Sequence, residues 1–164
     1  MNTQTYPVRQ FEPSAGIGKI LVASDFSPAS QKAFEYALRL GQQFGAELQL
    51  LHVVEPIMAA TFAGVVPSPP PFSDDEFFIA EKYLDQLAKS ARSREVEAKP
   101  LVRVGVATHE IVEAAREEDV DLIVIATHGH TGWRHFAIGS TAERVVRAAP
   151  CPVLVVREKE HEFS

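Results

Sequence analysis

The chain lacks the sequence features that mark disulfide-bonded, nucleic-acid-binding, and membrane or secreted proteins. It contains one cysteine in 164 residues, Cys151, so no disulfide can form within it and we expect a reducing compartment. Its 16 lysines and arginines are outnumbered by 22 acids, and the net charge of −6 argues against a nucleic-acid surface. It has no apolar run of membrane-spanning length, and its first residues lack the basic and apolar segments of a signal peptide. We therefore predict a cytoplasmic protein without nucleic-acid or membrane partners.

The composition that remains is that of one globular domain with a regular order of elements. Apolar residues make up 46% of the chain, which is enough to bury a core. Short apolar segments alternate with amphipathic ones, and this alternation predicts an α/β doubly wound fold with a five-stranded parallel sheet. The order 3-2-1-4-5 is favoured, because it makes neighbours of the first and fourth strands, whose carboxyl ends carry the residues best suited to a ligand. The predicted strands are Lys19–Ser24, Glu47–Val54, Lys99–Val104, Leu122–Ala126 and Val153–Val156.

Four helices are predicted from capping residues and from apolar residues recurring every three or four positions. Phe77 is included in the buried stripe of the second helix, and Thr108 is the predicted N-cap of the third. The first predicted helix, Pro28 to Phe44, is capped by Ser27 and closed by Gly45. The others are a segment from the cap Ser73 to about Ser93, His109 to Glu118, and a segment opened by Ser140 at or near its N-cap.

Three segments lack the periodicity of helices and strands. Residues 1–18 are predicted to be a flexible leader, residues 56–72 a proline-rich mobile loop, and residues 158–164 a charged tail. The folded domain is accordingly predicted to extend over residues 19–157. The apolar side chains of the proline-rich loop are equally compatible with covering a pocket, contacting a partner subunit or packing onto the domain.

One stretch has the arrangement of an anion-binding site. The buried strand Leu122–Ala126 is followed by a loop with Gly129 and Gly132, and then by Gly139 and Ser140 at the start of a helix. A glycine loop leading into a helix N-terminus offers backbone N–H groups and a positive dipole end to phosphate oxygens. No lysine follows as in a Walker motif, so this is not a P-loop. The alternative is that the glycines only make turns and cap the helix.

A second candidate residue comes from the first strand. Asp25 stands at the carboxyl end of that strand, and with the expected sheet order the first and fourth strands are neighbours. Their connections leave in opposite directions, and ligands of doubly wound folds bind at such a crevice. Asp25 and the glycine loop are therefore predicted to face one site.

Two alternative hypotheses for the function of this region involve histidines. His128, His130 and His135 suggest a transition-metal site, but His128 and His130 flank a glycine and neither cysteine nor glutamate accompanies them in the loop. A hydrolase or phosphotransferase would use Asp25 or a histidine to orient water, with Arg134 as the cation within the loop. His52, by contrast, is interpreted as a packed histidine whose ring nitrogen is satisfied.

Three segments of the chain resemble the universal stress protein family: KILVASDFSPAS, LLHVVEP and ATHGHTGWRHFAIGSTAERVVRAAPCPVLVV. The ATP-binding members of that family have a glycine, two residues, a second glycine, nine residues, and then a glycine with Ser or Thr. Gly129 matches the second glycine, and Gly139 with Ser140 completes the pattern. Ala126 replaces the first glycine.

This resemblance implies a regulatory protein that binds ATP, optionally with Mg²⁺ bridging the phosphates, and that is not an enzyme beyond slow hydrolysis. It implies a homodimer formed through Val153–Val156 and a further protein partner of unknown identity. The runner-up is a member that has lost nucleotide binding and acts as a dimeric interaction module. The implied nucleotide-binding residues are Ala23, Ser24, Asp25, Val53, Ala126, Thr127, His128, Gly129, His130, Thr131, Gly132, Gly139, Ser140 and Thr141.

Overall fold

Residues 16–56, 74–127 and 139–157 are described by the structure, a computed structural model. The predicted leader, proline-rich loop and charged tail lie almost entirely outside these residues. The same is true of residues 128–132 of the predicted nucleotide site, and of Arg134 and His135.

Five parallel strands form one sheet in the order β3-β2-β1-β4-β5, which confirms the predicted topology. The central strands β1 and β4 are buried along almost their whole length because helices cover both faces of the sheet there. The strands are β1 (Lys19–Ala23), β2 (Glu47–Val54), β3 (Ala98–Val104), β4 (Leu122–Ala126) and β5 (Val153–Val156).

The described helices are α1 (Pro28–Phe44), α2 (Asp74–Arg92), α3 (Ala107–Glu117) and α4 (Ser140–Ala148). None of these four has the length and apolarity that crossing a membrane requires. Each alternates with a strand, as predicted.

Helix α1 illustrates how local sequence sets both ends of an element. The Ser27 hydroxyl accepts a hydrogen bond from the Ser30 N–H at 3.2 Å, and Pro28 occupies the first turn, where a missing N–H costs nothing. At the other end Gly45 takes the left-handed conformation with φ 68° and donates its N–H to the Gly41 carbonyl. Both caps agree with the sequence prediction.

Two local predictions were wrong. Helix α3 begins with Val106 as its N-cap, so Thr108 lies within the first turn and does not cap it. The capping acceptor instead comes from the distant Glu55, whose Oε1 accepts the Ala107 N–H at 2.7 Å. Phe77 is 37% exposed, because burial along α2 starts only at Ala80 and the preceding turn does not pack into the described core.

The core has two halves, one on each face of the sheet. Alternate strand residues such as Val22 and Leu50 pack against α1 and α2, while Leu21, Leu51 and Ile123 pack against α3 and α4. The chain therefore leaves β1 toward one face through α1 and leaves β4 toward the opposite face through α4. Strands β1 and β4 are neighbours, so their carboxyl ends form the topological switch point, where the ligand crevice of a doubly wound fold lies.

Candidate functional site

The end of β1 is fixed by a short series of hydrogen bonds. Ala23, the last residue of the strand, pairs with both Leu51 and Ile125 of the neighbouring strands, and Ser24 continues with its N–H donating to the Leu51 carbonyl at 2.9 Å. Asp25 follows, half-buried, and its Oδ1 accepts the Ser27 N–H at 3.1 Å. The carboxylate of Asp25 is thereby held at the carboxyl edge of the sheet.

Val53 lies on β2, two residues beyond Leu51, which is the last β2 residue that pairs with β1. The carbonyl of Leu51 accepts from Ser24 on the β1 side of β2, whereas the carbonyl of Val54 accepts the Gly105 N–H on the β3 side at 3.1 Å. Successive residues of a strand alternate their hydrogen-bonding direction, so the N–H and C=O of Val53 point to the β1 side, past the end of that strand. The backbone of Val53 therefore faces the edge where the crevice lies.

The end of β4 connects directly to the start of α4. The Thr127 N–H donates to the Val156 carbonyl at 2.8 Å, and the Thr127 carbonyl accepts the Gly139 N–H at 2.7 Å. Thr127 is buried, with 5% exposure. The Gly139 amide is thus engaged within the chain, contrary to the expectation that it is available to an anion. Any contribution of Gly139 to a site comes from its small size.

The N-terminus of α4 differs from the starts of α1 and α3. Its N-cap is Gly139, which has no side chain to accept from the helix, and Ser140 is the first helical residue. The first intrahelical bond is donated by Glu143 to the Gly139 carbonyl at 3.0 Å, so the N–H groups of the three preceding residues project from the helix end. The other two starts are capped by the side chains of Ser27 and Glu55. Of the helices α1, α3 and α4, whose N-caps the structure describes, α4 is the one with an N-terminus suited to an external anion.

Ala126, which replaces the first glycine of the family pattern, is partly buried at the end of β4. Its methyl group packs with the core on the α1 and α2 face, as do Val124 and Leu122, two and four residues earlier. The extra methyl group relative to glycine is therefore accommodated by the core.

His52 is a packed histidine, as predicted. Its Nδ1 lies 2.8 Å from the Ser24 carbonyl oxygen, and its ring stacks on Phe26 with centroids 4.3 Å apart. Within the described parts of the chain, no group of three His, Cys, Asp or Glu side chains could hold a metal ion. The three histidines of the rival metal site lie outside those parts.

Cys151 has the character of a structural thiol. Burial raises the pKa of this thiol, and the nearby charge of Asp121 raises it further. A raised pKa leaves less of the nucleophilic thiolate at neutral pH, so the thiol is poorly suited to covalent chemistry.

Sequence analysis missed two features of this edge. Phe26 has a positive φ of 64° and stacks on both His52 and Tyr83, and Glu55 caps α3. No local sequence signal marks the ring stack, because its members are far apart along the chain. The Glu55 cap joins residues separated by 52 positions.

The sheet order and the crevice between β1 and β4 define the class: a doubly wound α/β protein with its candidate site at the topological switch point. The chain belongs to the universal stress protein family, whose model matches residues 16–157. The universal stress protein YxiE of Bacillus subtilis is 34% identical over 145 residues, which cover 85% of this chain and 98% of YxiE.

Solved structures agree with this assignment. The universal stress protein UspA from Lactobacillus plantarum has a TM-score of 0.75 and 30% identity, with 87% of this chain and 99% of that chain covered. A universal stress protein from Archaeoglobus fulgidus, solved in complex with dAMP, has a TM-score of 0.64 over 85% of this chain and 97% of its own. At 22% identity the second likeness shows the fold alone.

Proposed function

We propose that the protein binds ATP in the crevice between the carboxyl ends of β1 and β4, and acts in the cytoplasm as a nucleotide-dependent regulatory protein of the stress response. One observation carries the proposal: the glycine-capped start of α4 lies at the end of β4 through the Gly139–Thr127 hydrogen bond, on the sheet edge where Asp25 follows the neighbouring β1. The positive end of α4, next to β4, suits the phosphates of a nucleotide, and the Asp25 carboxylate, after the neighbouring β1, suits its ribose.

Each part of the ligand has a proposed contact. The adenine edge is read by the backbone of Val53, and Asp25, with Ala23 and Ser24 before it, faces the adenosine half. The phosphates are bound by the amides at Ser140 and Thr141 together with residues 126–132. The A. fulgidus protein in its complex with dAMP offers a precedent for an adenylate in this fold.

Magnesium, when it accompanies ATP, is held mainly by the phosphates in this proposal. The part of the chain that the structure describes presents no group of three potential ligands, so no dedicated protein site is assigned to it. We propose binding and not turnover, because the motif lacks the Walker lysine that P-loop enzymes direct to the transferred phosphate.

We further propose that the protein is a homodimer joined through β5. The carbonyls of Pro152 and Val156 accept hydrogen bonds from β4, so the backbone of Val153 and Val155 points away from the sheet. Strand β5 is an edge strand with apolar side chains, and such edges pair readily with a second copy.

Two measurements test the nucleotide proposal. The purified protein is denatured and any co-purified nucleotide is identified by mass spectrometry, and the nucleotide-free protein is then titrated with ATP, ADP, AMP and GTP by calorimetry. We expect an adenine nucleotide in the first measurement and saturable binding of ATP but not of GTP in the second. Absence of both would refute the proposal and favour the dimeric interaction module.

A further inference from the structure

Three aromatic rings from three different elements form a column beside Asp25. Phe26, in the connection between β1 and α1, stacks on His52 of β2 with centroids 4.3 Å apart and an interplanar angle of 20°. It also stacks on Tyr83 of α2, at 4.9 Å and 25°. Two nearly parallel rings cannot share one face of Phe26 at these distances, so the phenyl ring is held between them.

The backbone of Phe26 is strained. Its φ of 64° is left-handed, which is unfavourable for a bulky residue because Cβ approaches the carbonyl oxygen. Such conformations persist where the surroundings fix them, and they occur often at ligand sites. The Phe26 N–H donates to the Ser24 hydroxyl at 3.1 Å, and this hydroxyl pairs in turn with that of Ser30. The ring column and these hydrogen bonds together hold the strained residue.

The conformation of Phe26 directs the residues on both sides of it. Asp25 precedes it, and the Ser27 N–H, which Asp25 accepts at 3.1 Å, follows it. A return of Phe26 to a negative φ would rotate the adjoining peptide groups and break this Asp25–Ser27 bond. One of the contacts that orient the Asp25 carboxylate therefore depends on the ring column.

We propose that Tyr83 and His52 are positioning residues for nucleotide binding: by clamping Phe26 in its left-handed conformation they orient the Asp25 carboxylate toward the ligand. The inference rests on the proposed function, in which Asp25 faces the adenosine half of ATP. It also couples ATP binding to the protein surface, because Tyr83 belongs to α2 and is 48% exposed. Coupling is reciprocal, so a partner that displaces Tyr83 weakens ATP binding, and ATP strengthens the docking of Tyr83.

The test compares three α2 variants of the full chain for ATP affinity by calorimetry. Tyr83→Leu removes the outer ring, Tyr83→Phe keeps it, and Phe78→Leu makes the same kind of change at a residue that is 66% exposed and outside the column. We expect Tyr83→Leu to raise the Kd for ATP about three- to tenfold; the energy of one lost aromatic pair sets the upper limit. We expect Tyr83→Phe and Phe78→Leu each to keep the wild-type Kd for ATP.

A double-mutant cycle separates positioning from a general effect on the fold. In the Asp25→Ala background the Tyr83→Leu change should no longer affect ATP binding, because the side chain that it orients is gone. A Tyr83→Leu penalty of equal size in both backgrounds would show that the ring acts on the fold and would overturn the inference.

Phe26→Gly provides a second measure, since glycine adopts a positive φ without strain but has no ring to clamp. Glu95→Gly makes the same backbone change at φ 61°, in the turn after α2. We expect ATP affinity to fall only in Phe26→Gly. If the wild type binds ATP and both Tyr83→Leu and Phe26→Gly bind it equally well, the inference fails and the proposed function stands. If the wild type binds no adenine nucleotide, both fail.

Discussion

The backbone N–H of Gly139 donates to the carbonyl oxygen of Thr127 at 2.7 Å. This bond brings the start of α4 against the end of β4, although eleven residues separate the two in the sequence. It also determines which amides can meet a phosphate, since the Gly139 N–H is occupied and those of Ser140, Thr141 and Ala142 precede the first intrahelical bond. The proposed nucleotide binding and the capping of α4 therefore place separable requirements on position 139.

Gly139→Asp should separate these two properties. Aspartate is a favourable N-cap, so we expect the free energy of unfolding to stay level or rise by a few tenths of a kcal/mol. The same carboxylate would repel phosphate and accept hydrogen bonds from amides in the first turn of α4. The Kd for ATP should therefore rise by at least about tenfold. Urea unfolding and calorimetry measure the two effects.

Gly16→Asp is the matched control, because the space around Gly16 is open and it precedes β1. We expect it to leave ATP affinity unchanged. Unchanged affinity in Gly139→Asp would place the nucleotide elsewhere.

Ala126→Gly restores the first glycine of the family pattern. Because the Ala126 methyl group packs with the core on the α1 and α2 face, we expect its removal to destabilise the fold by roughly 1 kcal/mol through lost burial and added backbone freedom. ATP affinity should change by less than about threefold. A gain of tenfold or more, measured by calorimetry, would mean that the methyl group obstructs the ligand.

Glu55→Ala should remove the acceptor at the start of α3. Loss of a capping interaction costs about 1 kcal/mol, and we expect a decrease of that size in urea unfolding. Glu55→Gln keeps an acceptor oxygen and should lose less than half as much. Equal losses in the two variants would indicate that the negative charge at the helix end matters more than the hydrogen bond.

The Arg103–Glu117 pair should make stability depend on pH in the acidic range. The hydrogen bond from Arg103 lowers the pKa of Glu117, and the charge of Arg103 lowers it further. A carboxyl whose folded pKa is depressed stabilises the protein above its unfolded pKa, and this contribution is lost as the pH falls through the folded value. Glu117→Gln should therefore lower the melting temperature slightly at pH 7, and the difference should vanish under acidic conditions.

Glu113→Gln is the control on the same helix, since Glu113 pairs with Arg116 across a single exposed turn. Such pairs contribute little to stability, so we expect a smaller change in melting temperature at pH 7. A Glu117→Gln effect that persisted unchanged at acidic pH would contradict the assignment to the ionised pair.

Val155→Pro tests the proposed dimer. The Val155 backbone points away from β4, so proline there removes an outward N–H and leaves the bonds of Pro152 and Val156 to β4 in place. We expect a monomer in light scattering, with the wild type a dimer. Val155→Thr, which keeps the N–H and the β-branched shape, should remain dimeric. A Val155→Pro protein that stays folded and dimeric would exclude β5 as the interface.

How far the sequence predicts this protein depends on the range of the interactions involved. The strands and helices follow from periodicity and caps that lie within a few residues of each other, as with Ser27, Pro28 and Gly45 around α1. Alternation and crossover handedness limit the fold to doubly wound parallel sheets, and the ligand-suited residues after the first and fourth strands favour the order that places these strands side by side. Asp25 lies at the carboxyl end of β1 as predicted, because its position directly after an apolar strand can be read from the sequence. Val53, near the end of β2, is named through the family resemblance.

By itself, then, the sequence determined the fold class, the strand order and the edge of the sheet on which the candidate site lies. Only the tertiary structure decided that Glu55 caps α3, that the Gly139 amide is engaged by Thr127, and that Phe26 is clamped between His52 and Tyr83. The physical reason is the same in all three cases. Each contact joins groups that only the folded chain brings together, and no short-range pattern of residue types encodes such a distance.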